Sequence, residues 1–254
     1  MSQHATIGTN RTGMAAAPER SREMLSGMDE FPPTSQGSAA DVAQVRMAYA
    51  QAAEPLGSVP PPASLKGTVQ AAVKAVMGEQ PTLLMDKLGE RLAFERTGTR
   101  LYEALVSKYD VFGSFDGGPS RGDLEHVLQE EYRHFTMLQS VIEQLGGDPT
   151  SVTPSANLQA TAAHGVNQVL VDPRTTLLQS LEAILIAELA DNACWEALIE
   201  LAQEAGEDKL VAQFQEALRN EQDHLAKVQT WLAAGHGRSP DGRGNRKGGS
   251  NKRS

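Results

Sequence analysis

Glu131-x-x-His134 and Glu221-x-x-His224 are one small pattern written twice, each inside a long amphipathic segment of the 254-residue chain. Residues three apart on a helix project from the same face, so each copy offers a carboxylate and an imidazole to one point in space. Two copies facing each other can hold two cations. The chain must therefore fold so that two separate helices bring these faces together.

Composition sets the class of fold in which this can happen. Aromatic residues make up only 5% of the chain, alanine is abundant, and few stretches are rich in the β-branched and aromatic residues that favour sheet. A helical protein is expected. Cys194 is the single cysteine, which excludes an intramolecular disulfide and any Cys-x-x-Cys metal or redox module. A bound metal would be held by oxygen and nitrogen. The net charge is -9, while the last 20 residues carry six Lys or Arg and one Asp, leaving about -14 on the rest. No stretch approaches the roughly 18 apolar residues of a membrane span, and the N-terminus lacks the continuous apolar core of a signal peptide. A cytoplasmic protein with no membrane contact is the expectation.

Three parts are distinguished by composition. Residues 1–80 are rich in Ala, Pro, Gly and Ser, with breakers at Pro32-Pro33 and Pro60-Pro61-Pro62, and read as a largely disordered extension. Weak helical stretches are expected within it near Ala39–Ala53 and Leu65–Met77. Residues 81–234 form the folded domain. Residues 235–254 form a Gly-rich basic tail that serves solubility in the first reading and anionic surfaces such as nucleic acid in the second.

The periodicity predicts four helices over roughly Leu83–Tyr109, Asp123–Leu145, Thr176–Ala205 and Asp208–Ala234. Gly146, Gly206 and Gly235 close the last three. Short connections make the first pair and the last pair antiparallel neighbours. The 29 residues of Gly147–Thr175, at ~3.3 Å per extended residue, span a helix ~40 Å long. Two hairpins joined by a long crossover form a four-helix bundle.

Two further carboxylates fall inside the apolar stripes. Glu95 lies one heptad from both Leu88 and Tyr102, and Glu188 precedes Trp195 by seven. A bare carboxylate in a bundle core costs several kcal/mol unless paired or bound to a cation. Glu95 is 14 residues before Tyr109, and Glu131 and His134 are 8 to 11 after Asp123; Glu188 is 17 before Ala205, and Glu221 and His224 are 13 to 16 after Asp208. At ~1.5 Å per residue these depths agree to a turn or two. The hairpins also repeat: the spacing from first to second Glu is 36 residues in one and 33 in the other.

One Glu on each of two helices with Glu-x-x-His on each of the other two resembles the ligand pattern of the ferritin-like carboxylate-bridged dimetal proteins, over about residues 83–234. The segment LAFERTGTRLYEAL is similar to helix one of the bacterioferritin and rubrerythrin branch. The resemblance implies Glu95 and Glu188 as terminal ligands, Glu131 and Glu221 as bridges, and one imidazole, His134 or His224, on each metal. Two metals ~3.5–4 Å apart are the implied geometry. It implies two iron ions, with manganese as the alternative, and reaction of ferrous iron with dioxygen or hydrogen peroxide, as a ferroxidase or in peroxide detoxification. A manganese catalase-like or substrate-oxidising enzyme is the nearest rival. A non-catalytic helical bundle with a buried polar network is the reading from a different class. Haem is not expected, because Tyr132 stands where the bacterioferritins place a haem-ligating Met, and a homo-oligomer is open.

The remaining residues receive plainer readings. Tyr102 is the candidate participant beside the site, although it and Trp195 read first as core packing. Glu130, Glu182, Glu196 and Glu200 read as solvated, with a one-turn error able to exchange Glu188 for Glu182. Cys194 reads as a small buried hydrophobe, and His126 and His164 as surface residues.

Overall fold

The computed structural model describes residues 7–32, 34, 37–63 and 81–237. These residues are helical and irregular, with no strand among them. Four long helices make the bundle: α3 (Pro81–Phe112), α4 (Arg121–Gln144), α7 (Leu177–Glu204) and α8 (Asp208–Gly235). α3 pairs with α4 and α7 with α8, while α3 lies against α7 and α4 against α8. No helix among the described residues is long and apolar enough to cross a membrane.

Local chemistry fixes the helix ends. Ser120 caps α4 by accepting from Asp123 N–H while the Asp123 carboxylate accepts from Ser120 N–H, and Thr176 and Gln179 form the same reciprocal box at α7. The Ser120 box starts α4 two residues earlier than periodicity suggests. α3 runs on to Phe112, leaving only residues 113–120 between α3 and α4. Gly146 (φ 83°) and Gly206 (φ 68°) turn left-handed behind α4 and α7, as expected of closing glycines. Gly235 differs. It remains helical, the left-handed residue is Gly237 (φ 69°), and a Cβ on Gly235 would lie 2.3 Å from Leu178 Cδ1. Its hydrogen in place of a side chain serves close packing, not the turn.

The crossover is folded, not extended. α5 (Pro154–Ala162) and α6 (His164–Val171) occupy most of it. Thr153 accepts from Ala156 N–H and Pro154 takes the first helical position, where its missing N–H costs nothing. Polar clamps hold both ends against α3. Asp86 accepts from the Ser155 backbone (3.0 Å) and hydroxyl (2.7 Å), and buried Lys108 donates to the Thr175 carbonyl (2.8 Å) and hydroxyl (2.9 Å).

Residues up to Pro55 form a separate compact unit, and those from Leu56 onward belong with the bundle. In the first unit α1 (Pro18–Glu30) and α2 (Ala39–Ala52) are helical without a buried residue. α2 coincides with the expected stretch near Ala39–Ala53, whereas α1, opened by Pro18, was not expected from periodicity. The expected helix at Leu65–Met77 and most of the basic tail lie outside the described residues. Within the bundle unit, Ala63 N–H donates to the Gly146 carbonyl (2.8 Å), so the chain is already tied to the bundle before residue 80.

The bundle core has two apolar layers. Leu101, Leu105, Leu124, Val127, Leu177, Leu181, Ile184, Val228 and Trp231 fill one, and Leu84, Leu88, Leu92, Leu138, Val141, Trp195, Leu198 and Phe214 fill the other. Between these layers each of the four long helices buries acidic or imidazole side chains. Desolvation on both sides is what gives that polar level its chemistry.

Candidate metal centre

All six expected residues meet at this level. Glu95 on α3, Glu131 and His134 on α4, Glu188 on α7, and Glu221 and His224 on α8 are each buried, none more than 5% exposed. Glu182 is exposed, and Glu188 is the α7 glutamate in the buried cluster. Donor atoms gather in two groups that include an imidazole, Glu95 with His134 and Glu221, and Glu131 with Glu188 and His224, and a third, all-carboxylate group joins Glu95, Glu131, Asp191 and Glu221. Glu221 spans both imidazoles, its Oε1 2.6 Å from His134 Nδ1 and its Oε2 3.0 Å from His224 Nδ1. Glu131 Oε1 is 3.4 Å from His224 Nδ1, and Glu95 Oε2 is 3.6 Å from His134 Nδ1.

Five of the converging atoms have no hydrogen-bond partner in the protein. Glu95 Oε2, Glu131 Oε2, Glu188 Oε2, Glu221 Oε1 and His134 Nδ1 are fully buried without a hydrogen-bond partner. Buried polar atoms are rarely left so. The contact between His134 Nδ1 and Glu221 Oε1 is short but not aligned as a hydrogen bond. Both atoms are aimed at one shared point. Oxygen and imidazole donors arranged in this way could hold metal.

Without a cation, protons carry the compensation. Burial pushes the His134 imidazole down, but Glu221 and Glu95 beside it outweigh that and hold it up at about 10. His224 is likewise raised, burial being overcome by Glu130, Glu131 and Glu221. Burial and the Glu221 charge lift Glu188 to about 8 and raise Glu131 well above its ordinary range. Glu221 moves the other way: burial opposes its charge, yet the two imidazoles keep it ionised. Tyr102, 1% exposed, donates its hydroxyl to Glu188 Oε1. Its phenol is raised by burial and the Glu188 charge, so it acts as a hydrogen-bond donor that orients the carboxylate.

Several neighbours were not visible as site residues in the sequence. Arg91, 1% exposed, donates to Glu95 Oε1 (2.8 Å) and to Asp191, itself 2% exposed, and its guanidinium lies 4.5 Å from the Phe94 ring centroid. Arg91 is one turn before Glu95 and Asp191 one turn after Glu188, and that i,i+4 and i,i+3 spacing was the available signal. Glu130, expected to be solvated, is only 12% exposed and accepts from His224 Nε2 (3.0 Å); packing of α4 on α8 turns its face inward. Asn192 Nδ2 donates to the carbonyls of Glu188 (2.9 Å) and Glu221 (3.1 Å), tying α7 to α8 at the site. Gly98 faces Glu131 so closely that a Cβ there would lie 2.1 Å from Oε2. Glu196, Glu200, His126 and His164 are exposed, as expected, and Cys194 is half-buried, not fully enclosed.

Comparison with known proteins bears on the same stretch. Residues 123–235 match the ferritin family model, described as a ferritin-like domain. No curated protein and no solved structure matches the chain. The matched residues cover α4 to α8, including Glu131, His134, Glu188, Glu221 and His224, and α3 completes the bundle with Glu95. An all-helical bundle of two hairpins with a folded crossover, enclosing a carboxylate and histidine cluster able to hold metal, accompanies that match. Residues 123–235 are a ferritin-like domain by that match.

Proposed function

We propose that this protein binds two iron ions at the level of Glu95, Glu131, His134, Glu188, Glu221 and His224 and reacts them with dioxygen or hydrogen peroxide, as a ferroxidase or in peroxide detoxification. The observation that carries this reading is the set of five unpaired, fully buried donor atoms converging between two apolar layers. A self-contained polar network would pair them. Two ferrous ions, when bound, supply the electrons that reduce the oxidant.

The protein's own part is positioning and charge. Glu221, which reaches both imidazoles, and Glu131, one oxygen of which has no hydrogen-bond partner, would hold the ions. Tyr102 holds one Glu188 oxygen and Arg91 one Glu95 oxygen, which leaves the second oxygen of each free to bind. The protons on His134 Nδ1 and on the raised carboxyls must leave as metal enters, so uptake releases protons. The apolar layers exclude water above and below.

Anaerobic loading with ferrous iron followed by elemental analysis tests the reading. About two irons per chain are expected, followed by rapid loss of ferrous iron on mixing with oxygen or peroxide. No more than trace binding would overturn it, and two manganese ions retained against excess iron would replace the metal.

Gly98→Ala separates site geometry from stability. The new Cβ displaces the Glu131 carboxylate, but the displaced Oε2 has no hydrogen bond to lose, and Ala favours a helix interior by ~1 kcal/mol over Gly. The melting temperature of the metal-free variant is expected to hold or rise while metal affinity falls at least about 10-fold. Unchanged affinity would show that Glu131 is not where the metal binds.

Metal-free protein should lose stability as pH rises. The His134 imidazole is raised from 6.5 to about 10, so its contribution is complete below pH 6.5 and lost as pH approaches 10. Glu188, raised from 4.5 to about 8, is favoured in its neutral form, and its contribution fades in the same direction. Thermal melts in chelator should show a falling midpoint from pH 6.5 upward, with metal affinity rising over the same range. A flat profile would contradict the proton assignment.

A further inference from the structure

The two donor groups are nearly equivalent by repeat, yet the residues behind their imidazoles differ. In each copy of the motif, the residue before the glutamate reaches across to the imidazole of the other copy. Glu130 Oε2 lies 3.0 Å from His224 Nε2, and Asn220 Nδ2 lies 3.2 Å from His134 Nε2. The side-by-side packing of α4 and α8 makes the exchange reciprocal. One imidazole therefore leans on a carboxylate and the other on an amide.

We propose that Glu130 and Asn220 are unequal positioning residues that set the order of metal binding, so that the group of Glu131, Glu188 and His224 fills before the group of Glu95, His134 and Glu221. This rests on the two-metal reading above.

The argument is one of tautomers. Both imidazoles turn Nδ1 toward the converging carboxylates, so a metal ligand at Nδ1 requires the hydrogen to sit on Nε2. An ionised carboxylate only accepts hydrogen bonds. Glu130 therefore holds a hydrogen on His224 Nε2 and keeps the Nδ1 lone pair aimed at the site. It is itself steadied by His126 Nε2 at 3.3 Å and Arg133 Nη2 at 3.4 Å. An amide presents either an acceptor or a donor. Asn220 presents its Nδ2 to His134 Nε2, a donor where an imidazole ligating through Nδ1 carries its hydrogen, so the amide must turn its oxygen inward before His134 can serve. A carboxylate behind an imidazole also raises its basicity as a ligand, which a neutral amide does not.

The carboxylates add a difference of the same sign. Glu95 gives one oxygen to the cationic Arg91, whereas Glu188 gives one oxygen to the neutral Tyr102 hydroxyl. The guanidinium withdraws more of the electron density a cation would use. Both contrasts make the His224 group the better donor set.

Anaerobic titration of the metal-free protein with cobalt(II), followed by visible absorbance and calorimetry, tests the order. Wild type is expected to bind two ions in resolved events about 10- to 100-fold apart, the range over which partners behind metal ligands act. Glu130→Gln should weaken the first event by a similar factor and merge the two. Asn220→Asp should tighten the second event and merge them from the other side, a gain that mere loss of structure cannot produce. Two equal events in wild type, or a first event indifferent to Glu130→Gln, would overturn the proposal while leaving the two-metal reading intact. Absence of any cobalt binding would overturn that reading as well.

Discussion

Arg91→Met is expected to destabilise the metal-free protein by about 3–5 kcal/mol, the usual cost of removing one partner from a buried ion pair. Arg91 is enclosed, bonded to Glu95 at 2.8 Å and to Asp191. Asp191 already stands raised, burial and the carboxylates of Glu221 and Glu95 working against the attraction of Arg91. Without the guanidinium it has no opposing charge and must take a proton to remain inside. The cost should therefore be smaller at pH 5 than at pH 8. The melting temperature should fall by roughly 10 °C at neutral pH.

The double variant Arg91→Met, Asp191→Leu should recover most of this loss, because an apolar pair of similar volume often replaces a buried ion pair without penalty. Chemical denaturation of both single variants and the double variant gives the coupling directly. If Arg91→Met costs less than about 1 kcal/mol, the pair is not held as the geometry indicates. The guanidinium does more than neutralise Asp191. It fixes one oxygen of Glu95 and leaves the other unpaired toward His134, so the same variant should also loosen the position of that carboxylate.

The bundle was legible because a 3.6-residue stripe must face a core wherever it occurs, and the six candidate ligands were legible because they interrupt those stripes at matching depths. Arg91 was not, since a residue between Leu88 and Leu92 can snorkel or be enclosed depending on what α7 places opposite it. Here α7 places Asp191. Glu130 is adjacent to a ligand in sequence and so points about 100° away on its own helix. Only the neighbouring α8 makes that direction an inside one. The helices of the crossover are short, 9 and 8 residues, below the length at which periodicity separates helix from irregular chain. Thr153 and Pro154 nevertheless wrote a helix start that a reading based on caps would have found. Gly235 shows the converse error, in which a glycine at the expected end of a helix serves packing against Leu178.

Glu221→Ala should abolish binding at both metal positions together, a larger effect than loss of any terminal carboxylate. Glu221 is the one carboxylate within 3.0 Å of both imidazoles among the contacts of the six residues. Removing it takes a carboxylate oxygen from beside each imidazole at once, and metal content after loading should drop from two per chain to trace, with affinity reduced by more than about 100-fold. Glu188→Ala, by contrast, should spare the group of Glu95, His134 and Glu221. Retention of a full first equivalent in Glu221→Ala would show that the carboxylate belongs to one position only.

The metal-free variant supplies a second readout. Glu221 is the foremost reason that His134 stands at about 10 against the penalty of burial. With alanine in its place, the His134 ring should titrate lower, as followed by its ring proton resonances. Glu221→Gln keeps the shape without the charge and should lower the same titration while preserving packing. A His134 ring unmoved in both variants would mean that the 2.6 Å contact does not govern its proton, and the bridge between the two halves of the site would have to be sought at Glu131.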